Sequence, residues 1–363
     1  MKADGIKKVL CVLGGGSTKA TGLWDRITKS LKENGIEYSE FWGVQPNPLI
    51  SKVREGVAVC KDPANKIEAV LAIGGGSVID TAKGIASGAK FSSDIWDVYL
   101  RKAAPPEEPL PMYTVLTLSA TGSEYNNCSV MSSPEEERKI GVFFANRPRA
   151  TAIDPTVQFT LPWRQVMCGA VDATSHLMEQ YFSRPNETDC SREINLALQR
   201  SIIKSMIKIK ANNEDYEARA NFSWAVSVAL NGLPRLGMSG DWNVHWIEEA
   251  ISAIDGRTAH GEGLAVVSRS YYKFLWKRGI AKEMFEEWAE SVFGTKNVDE
   301  ALKKFDELLD SWEAPMKLAD LGLTEADIPR IVRVEQEQNK MGVRSPLLPL
   351  TPELTTEILR NTL

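Results

Sequence analysis

The sequence has few cysteines and histidines, and it lacks a long apolar run or a basic block. Its five cysteines are scattered, odd in number and without C-x-x-C spacing, which indicates reduced thiols in a cytoplasmic protein. No apolar run approaches the ~18–20 residues that span a bilayer. The first such run leads directly into a glycine turn, which suits a core strand better than a signal peptide. A net charge of −5 without a basic block gives no indication of a nucleic-acid or membrane partner.

A glycine turn near the N-terminus separates a predicted strand from a predicted helix. Lys8–Leu13 is a β-branched apolar run, and helical periodicity covers 21–34. The turn begins with Gly14, Gly15, Gly16 and Ser17. Strand, glycine turn and helix form half of a nucleotide-binding unit. A strand near Glu37–Phe41 follows, and we predict Asn47 as the N-cap and Pro48 as the first residue of the next helix.

A second glycine turn joins a buried strand over 69–73 to a helix over 78–89. Its residues are Gly74, Gly75, Gly76 and Ser77. Glycines let backbone amides approach a pyrophosphate, and a helix N-terminus attracts its negative charge. Such turns also arise for purely conformational reasons, but the helix after this one carries Asp80 and Lys83, which favours a cofactor site. Further strands are predicted over 112–118 and Ala150–Ile153, with a hairpin formed by 129–131 and 139–144.

The pattern of the chain changes from mixed to helical after Pro162. Helical periodicity covers 162–182, 193–210, 216–230, 241–253, 264–276, Lys282–Phe293 and 298–312, with little strand signal between them. A chain of 363 residues is long enough for two domains. We therefore predict an α/β dinucleotide-binding domain with a parallel sheet over 1–155 and an all-α domain over 156–363.

The helical half contains the three histidines of the sequence. Asp172 and His176 stand four residues apart in GAVDATSHLME, so they share one face of the predicted helix. The other two are His245 in GDWNVHWIEEA and His260 in RTAHGEGLAVV. One carboxylate and three imidazoles make a plausible divalent-metal site, the alternative being separate polar residues on helix faces.

Four stretches together resemble the iron-containing, or group III, alcohol dehydrogenases, and most of all the butanol dehydrogenase type. They are AIGGGSVIDTAKGIA, TLSATGSEYN, IDPTVQFTLPWRQVMCGAVDATSHLMEQY and GDWNVHWIEEAISAIDGRTAHGEGLAVV. The resemblance implies the dehydroquinate synthase-like fold, in which the N-terminal domain binds NAD or NADP and the helical domain holds a metal. It also implies a homodimer formed through the N-terminal domain.

The resemblance assigns roles to residues of both halves. The metal ligands and catalytic centre would be Asp172, His176, His245 and His260. The cofactor's pyrophosphate and nearby groups would meet Gly74, Gly75, Gly76, Ser77 and Asp80, and the rest of its groove would be lined by Thr117, Leu118, Thr121 and Lys139. Family members often carry another histidine one turn after the third ligand, where this chain has Glu249. Glu249 would then act in proton relay or metal binding, the alternative being a solvated helix carboxylate.

The predicted reaction is the interconversion of primary alcohols and aldehydes. Hydride transfer requires the alcohol oxygen to be held and polarised while its carbon faces C4 of the nicotinamide, and a divalent ion with an open position does this as a Lewis acid. Iron(II) is the family expectation, and the same ligands suit zinc. Two alternatives stay open: a polyol (glycerol-type) dehydrogenase of the same fold, and a cofactor- or metal-binding protein that has lost catalysis.

The first glycine turn also bears on the choice of cofactor. NAD binders usually place an acidic residue after the first strand, where it binds the ribose hydroxyls and would repel a 2′-phosphate. Residues 13–19 contain no acid, the glycines leave room, and Ser17 or Lys19 could bind the phosphate. The sequence therefore predicts a preference for NADP(H), with NAD(H) possible.

Overall fold

The computed structural model describes residues 1–183, 188–340 and 345–363, and its chain folds as two compact units, Met1–Phe159 and Thr160–Leu363. The first unit combines a parallel sheet with helices, and the second is helical, which confirms the predicted fold class. Among the described residues, no helix is long and apolar enough to cross a bilayer.

The first unit is built on a parallel sheet of five strands in the order β2-β1-β3-β4-β7. Its strands are β1 (Lys8–Leu13), β2 (Glu37–Phe41), β3 (Ala69–Gly74), β4 (Met112–Leu116), β5 (Cys128–Ser133), β6 (Arg138–Phe143) and β7 (Ala150–Ile153). Its helices are α1 (Ser17–Ala20), α2 (Leu23–Glu33), α3 (Ile50–Lys61), α4 (Gly76–Gly88) and α5 (Trp96–Tyr99). Strands β5 and β6 form the predicted antiparallel hairpin. Every residue of β3 is buried, as expected for a parallel strand with both faces covered.

The strand order places the two glycine turns side by side. Strand β1 pairs with β2 on one side and with β3 on the other, and Leu13 stands opposite Ile73. The chain therefore turns in opposite directions after β1 and after β3, which makes their carboxyl ends a topological switch point. Ligands of open α/β sheets bind in the crevice at such a point.

The helix predicted over 21–34 is present as α2, which begins at Leu23 after Gly22, a residue with φ +72°. Two local predictions for the next helix, its N-cap and its first residue, are wrong. Helix α3 begins at Ile50 with Leu49 as its N-cap, so Asn47 and Pro48 precede it. The reason is tertiary: the backbone N–H of Ser132 donates to the carbonyl of Pro48 at 2.8 Å, which holds this segment extended beside β5.

The second unit is a helical assembly around two central helices. Its helices are α6 (Trp163–Tyr181), α7 (Asp189–Ala211), α8 (Tyr216–Ala229), α9 (Asn243–Ile254), α10 (His260–Lys277), α11 (Lys282–Phe293), α12 (Val298–Ser311), α13 (Ile328–Asn339) and α14 (Pro352–Arg360). Helices α6 and α10 are buried along most of their length and pack against each other. An aromatic core lies beside them, with Phe182 and Phe285 rings 4.3 Å apart between centroids and Trp288 fully buried. Two central helices that are buried on most faces can present polar groups to an enclosed site.

Candidate metal centre and cofactor site

Helix α6 carries the first two residues of the predicted metal site. Asp172 and His176 are buried, and one helical turn brings the Nε2 atom of His176 to 3.3 Å from Oδ1 of Asp172. The expected placement on one helical face is therefore present. Two buried polar side chains in the middle of a core helix need partners from neighbouring elements.

Helices α9 and α10 supply those neighbours. The Nε2 atoms of His245 and His260 lie 3.5 Å and 3.7 Å from Oδ1 of Asp172. The rings of His176 and His245 stack with centroids 4.7 Å apart, and the ring of His260 stands 5.3 Å from that of His245 at 60°. The structure thus brings all four predicted residues around one carboxylate oxygen.

Two glycines of the HGEG motif let His260 reach this cluster. A Cβ on Gly261 would lie 2.5 Å from the backbone of Cys168, so only glycine allows α10 to approach α6 this closely. A Cβ on Gly263 would lie 2.7 Å from Cγ of Glu248. Helix α10 therefore begins at His260, four residues before the predicted start, because its glycines are needed for close packing rather than for a loop.

The distances and the bonding of these atoms fit a divalent cation. Oδ1 of Asp172, Nε2 of His245 and Nδ1 of His176 are buried without a hydrogen-bond partner among the described residues. Four donors about 2.1 Å from a tetrahedral ion lie about 3.4 Å apart, close to the observed 3.3–3.7 Å. One donor atom each from Asp172, His245 and His260 lie within 4.8 Å of one another, while His176 meets the group through Asp172.

The electrostatics of the cluster also favour a cation. Burial lowers the pKa of His176 to about 3. Burial also acts to lower the pKa of His245, but the carboxylates of Glu179 and Asp172 outweigh it and raise that pKa to about 10. Burial acts to raise the pKa of Asp172, and the three imidazoles outweigh it and hold the pKa below its usual range. The negative charge that favours a proton at His245 would equally favour a metal ion there.

Two buried glutamates next to the cluster were not predicted from the sequence. Oε2 of Glu179 on α6 bonds Nδ1 of His245, and Oε2 of Glu248 on α9 bonds Nδ1 of His260. Both glutamates are fully buried. The sequence signal that could have found them is spacing, because Glu179 follows His176 by three residues and Glu248 follows His245 by three. Glu249, which the sequence singled out instead, is half-buried on α9.

In the first unit, the predicted cofactor residues gather at the carboxyl ends of the strands. The N–H of Thr117 donates to the carbonyl of Gly74 at 3.1 Å. A Cβ on Gly75 would lie 3.0 Å from Leu118, and one on Gly76 would lie 2.5 Å from Thr121. These contacts bring Thr117, Leu118 and Thr121 against the second glycine turn, while Gly14, Gly15 and Gly16 follow the neighbouring strand β1. The side chains of Leu118 and Thr121 therefore pack directly against the backbone of the second glycine turn.

Asp80 and Lys139 are both buried, whereas residues that line an open groove are partly exposed. Asp80 accepts hydrogen bonds from Ser123 Oγ at 2.5 Å and from the N–H of Val130 at 2.9 Å, so both carboxylate oxygens have protein donors. Lys139 is buried on β6 and pairs with Ser132, which in turn contacts the segment before α3. Asp80 therefore links the β5–β6 hairpin to helix α4 through these hydrogen bonds. This structural role does not depend on any contact with a cofactor.

The end of β1 has an acidic neighbour, Glu40 on β2, which was not among the predicted site residues. Ser17 begins α1, and Nζ of Lys19 lies 3.9 Å from Oε2 of Glu40 and 4.1 Å from the centroid of the Trp42 ring. Trp42 Nε1 also donates to Glu40 at 2.6 Å. Because β2 lies beside β1, this carboxylate stands near the first glycine turn. Lys19 is therefore partly neutralised where a 2′-phosphate was predicted to bind.

Glycine turns at a switch point are typical of proteins that bind a nucleotide cofactor, and a buried carboxylate–imidazole cluster is typical of sites for a divalent cation. Comparison with known families is more specific. Residues 1–155 match the model of the iron-containing alcohol dehydrogenases, and residues 166–361 match the C-terminal model of the Fe-containing alcohol dehydrogenase family. The chain belongs to the iron-containing alcohol dehydrogenase family, which makes it an oxidoreductase.

Individual relatives agree with this family over nearly the whole chain. NADH-dependent butanol dehydrogenase A of Clostridium acetobutylicum is 37% identical over 97% of this chain and 91% of its own length. NADPH-dependent aldehyde reductase YqhD of Escherichia coli is 32% identical over 91% of this chain and 86% of its own. The crystal structure of NADH-dependent butanol dehydrogenase A from Thermotoga maritima is 40% identical, with a TM-score of 0.94 over 99% of this chain and 92% of its own.

Proposed function

We propose that the protein is a metal-dependent, NAD(P)-linked alcohol dehydrogenase and aldehyde reductase that interconverts primary alcohols and aldehydes. The supporting observation is the convergence of unpartnered donor atoms from Asp172 and His245, with His176 and His260 beside them. The names of the similar butanol dehydrogenases and of the aldehyde reductase support the substrate class. In this proposal residues 1–155 bind the cofactor and 156–363 hold the metal.

The proposed roles divide between the two groups of residues. Asp172, His176, His245 and His260 would hold the ion, which when bound supplies a Lewis acid for the substrate oxygen. The two glycine turns, with Thr117, Leu118 and Thr121, would place backbone amides against the cofactor that carries the hydride. The aromatic ring of Trp242, edge-on to His245 with centroids 5.4 Å apart, would exclude water from one side of the donors.

The test is oxidation of NADPH with butanal as substrate. Protein would be purified without oxygen, stripped of metal and reconstituted separately with iron(II) or zinc(II). We expect turnover to return with iron(II), the proposed native ion, and His260→Ala to lose it. The function would be wrong if neither ion restored turnover although the stripped protein still bound the cofactor.

We propose NADP(H) as the preferred cofactor, on the absence of an acid after β1 and the position of Lys19. The kcat/KM values with NADPH and NADH decide this directly. Lys19→Ala should lower the value for NADPH more than that for NADH, and Glu40→Gln should do the reverse, because Glu40 partly neutralises Lys19. A wild-type preference for NADH, as in the names of the butanol dehydrogenases, would contradict the proposal.

For Glu249 we propose a role in proton relay, supported by its position one helical turn from His245 and its half-buried state. Glu249→Gln should then alter the pH profile of kcat while leaving the affinity for metal unchanged. An unchanged rate and profile would identify Glu249 as a structural helix carboxylate.

We also propose that the protein is a cytoplasmic homodimer. Light scattering coupled to size-exclusion chromatography measures the molar mass and so tests the dimer.

A further inference from the structure

We infer that the buried glutamates Glu179 and Glu248 are positioning residues, which aim the Nε2 atoms of two histidines at the metal position. This inference rests on the proposed metal centre and deepens it. Each glutamate bonds the Nδ1 atom of one histidine, Glu179 that of His245 and Glu248 that of His260. In both rings the opposite nitrogen, Nε2, faces Oδ1 of Asp172.

The chemical consequence lies in the tautomer. A neutral imidazole carries one N–H and one lone pair, and a carboxylate at Nδ1 holds the N–H there. The lone pair of Nε2 is then directed at the cluster, where it can bind a cation. The same carboxylate fixes the rotation of the ring. His176 differs, because its Nδ1 has no hydrogen-bond partner among the described residues.

Each glutamate is itself held by its second oxygen. Oε1 of Glu248 accepts the hydroxyl of Ser252, one turn along α9. Oε1 of Glu179 accepts the N–H of Val244 at 2.7 Å and that of His245 at 3.3 Å, so it also caps the N-terminus of α9. Neither carboxylate can rotate away from its histidine without losing these bonds. Both oxygens of both glutamates therefore have hydrogen-bond partners, as buried carboxylates require, and in each residue one of those partners is a histidine of the cluster.

The packing around Glu248 also depends on its presence. Gly263 on α10 leaves the space that the side chain of Glu248 occupies, since a Cβ there would lie 2.7 Å from Cγ and 3.2 Å from Oε1. Gly263 therefore makes room for Glu248, the residue that bonds His260. Gly263→Ala provides a second way to displace Glu248 without removing its carboxylate.

The experiment measures metal binding rather than turnover. Metal-stripped protein would be titrated with Co²⁺ in competition with a chromophoric chelator, and the visible absorption of bound Co²⁺ would report the ligand geometry. Glu248→Ala should weaken Co²⁺ binding about 10- to 100-fold and shift the absorption band, because the ring of His260 loses its fixed orientation. Glu248→Gln retains an acceptor oxygen for Nδ1–H and should recover part of the affinity. Glu179→Gln should weaken binding in the same way through His245.

The matched control is Glu335, a fully buried glutamate of α13 that bonds Thr355 and Asn339 and touches no histidine of the cluster. Glu335→Ala should lower the thermal stability of the stripped protein and leave the Co²⁺ affinity and band unchanged. If Glu248→Ala and Glu248→Gln bind Co²⁺ as the wild type does, the inference is wrong while the metal centre stands. The proposed metal centre is wrong as well if the wild type binds no Co²⁺, or if Asp172→Ala binds Co²⁺ as tightly as the wild type does.

Discussion

Each unit of the molecule buries a cluster of ionisable groups, and the two clusters differ in how completely they are paired. In the first unit, Lys83 is fully buried and donates to Ser123 Oγ at 2.6 Å, Asn126 Oδ1 at 3.0 Å and the carbonyl of Cys128 at 2.6 Å. Asp80 beside it has a donor on each oxygen. In the second unit, Asp172 Oδ1 and His245 Nε2 face each other without a hydrogen bond.

The difference separates a structural charge network from a binding site. Three acceptors arranged about an ammonium group complete its hydrogen bonds, so the Lys83 network needs nothing further. The histidine cluster is complete only on its outer side, where the glutamates bond Nδ1, and its inner atoms point at one another. Unpaired buried polar atoms are costly, and their convergence supports the proposed cation site.

The largest effect should come from breaking the cluster of Asp172 and the three histidines. Asp172→Ala removes the one atom that all three imidazoles approach, so aldehyde reduction should fall at least about 1000-fold, the equivalent of about 4 kcal/mol of transition-state stabilisation by a Lewis acid. The measurement is kcat with metal-loaded protein, and the control is unchanged cofactor binding to the first unit. Turnover within tenfold of the wild type would show that the cluster is not the catalytic centre.

Breaking the paired cluster should affect stability and not metal binding. Lys83→Met leaves the acceptors of Ser123, Asn126 and Cys128 without their donor, which should destabilise the first unit by about 3–5 kcal/mol. Scanning calorimetry measures this, and Lys90→Met in the exposed turn that follows the same helix is the matched control, expected within about 0.5 kcal/mol of the wild type. A loss of Co²⁺ affinity in Lys83→Met would mean that the two clusters are not independent.

The same lysine predicts a pH dependence. Burial lowers the pKa of Lys83 to about 8, from 10.5 for the free side chain. Between these values the unfolded chain keeps the proton that the folded chain releases, so raising the pH stabilises the folded wild type by up to about 1.4 kcal/mol per pH unit. The stability difference between wild type and Lys83→Met should therefore grow from pH 8 to pH 10. A constant difference would mean that Lys83 stays fully charged throughout this range.

A smaller effect is expected at the second glycine turn, which belongs to neither cluster. Gly76→Ala places a Cβ 2.5 Å from Thr121, which must shift the turn, at a cost of about 1–3 kcal/mol. We expect KM for the cofactor to rise about tenfold and the affinity for Co²⁺ to remain that of the wild type. Gly141→Ala, whose Cβ would make only an ordinary contact 3.5 Å from Val130, is the control. Equal cofactor KM values in the two variants would argue against a role for this turn.

The sequence was sufficient for the fold class and for placing Asp172 and His176 on one helical face, whereas the convergence of His245 and His260 with them was implied only by the resemblance to a known family. It could not decide between Glu248 and Glu249, since adjacent residues of a helix point about 100° apart and only the packing of α9 shows which one is buried. Asn47 failed as an N-cap for a related reason. Its local preference was overridden by the pairing of the Pro48 carbonyl with Ser132, a residue more than eighty positions away.

Glu179 has two structural roles, because it caps the start of helix α9 and also orients the ring of His245. The carboxylate that caps helix α9 also bonds Nδ1 of His245, so the orientation of this ring is fixed by the fold itself. A site shaped in this way imposes a geometry and does not choose among the divalent ions that accept it. We therefore expect iron(II), the proposed native ion, to be bound when iron is available, and growth in iron-poor or zinc-rich medium to replace it with another divalent ion without changing the fold.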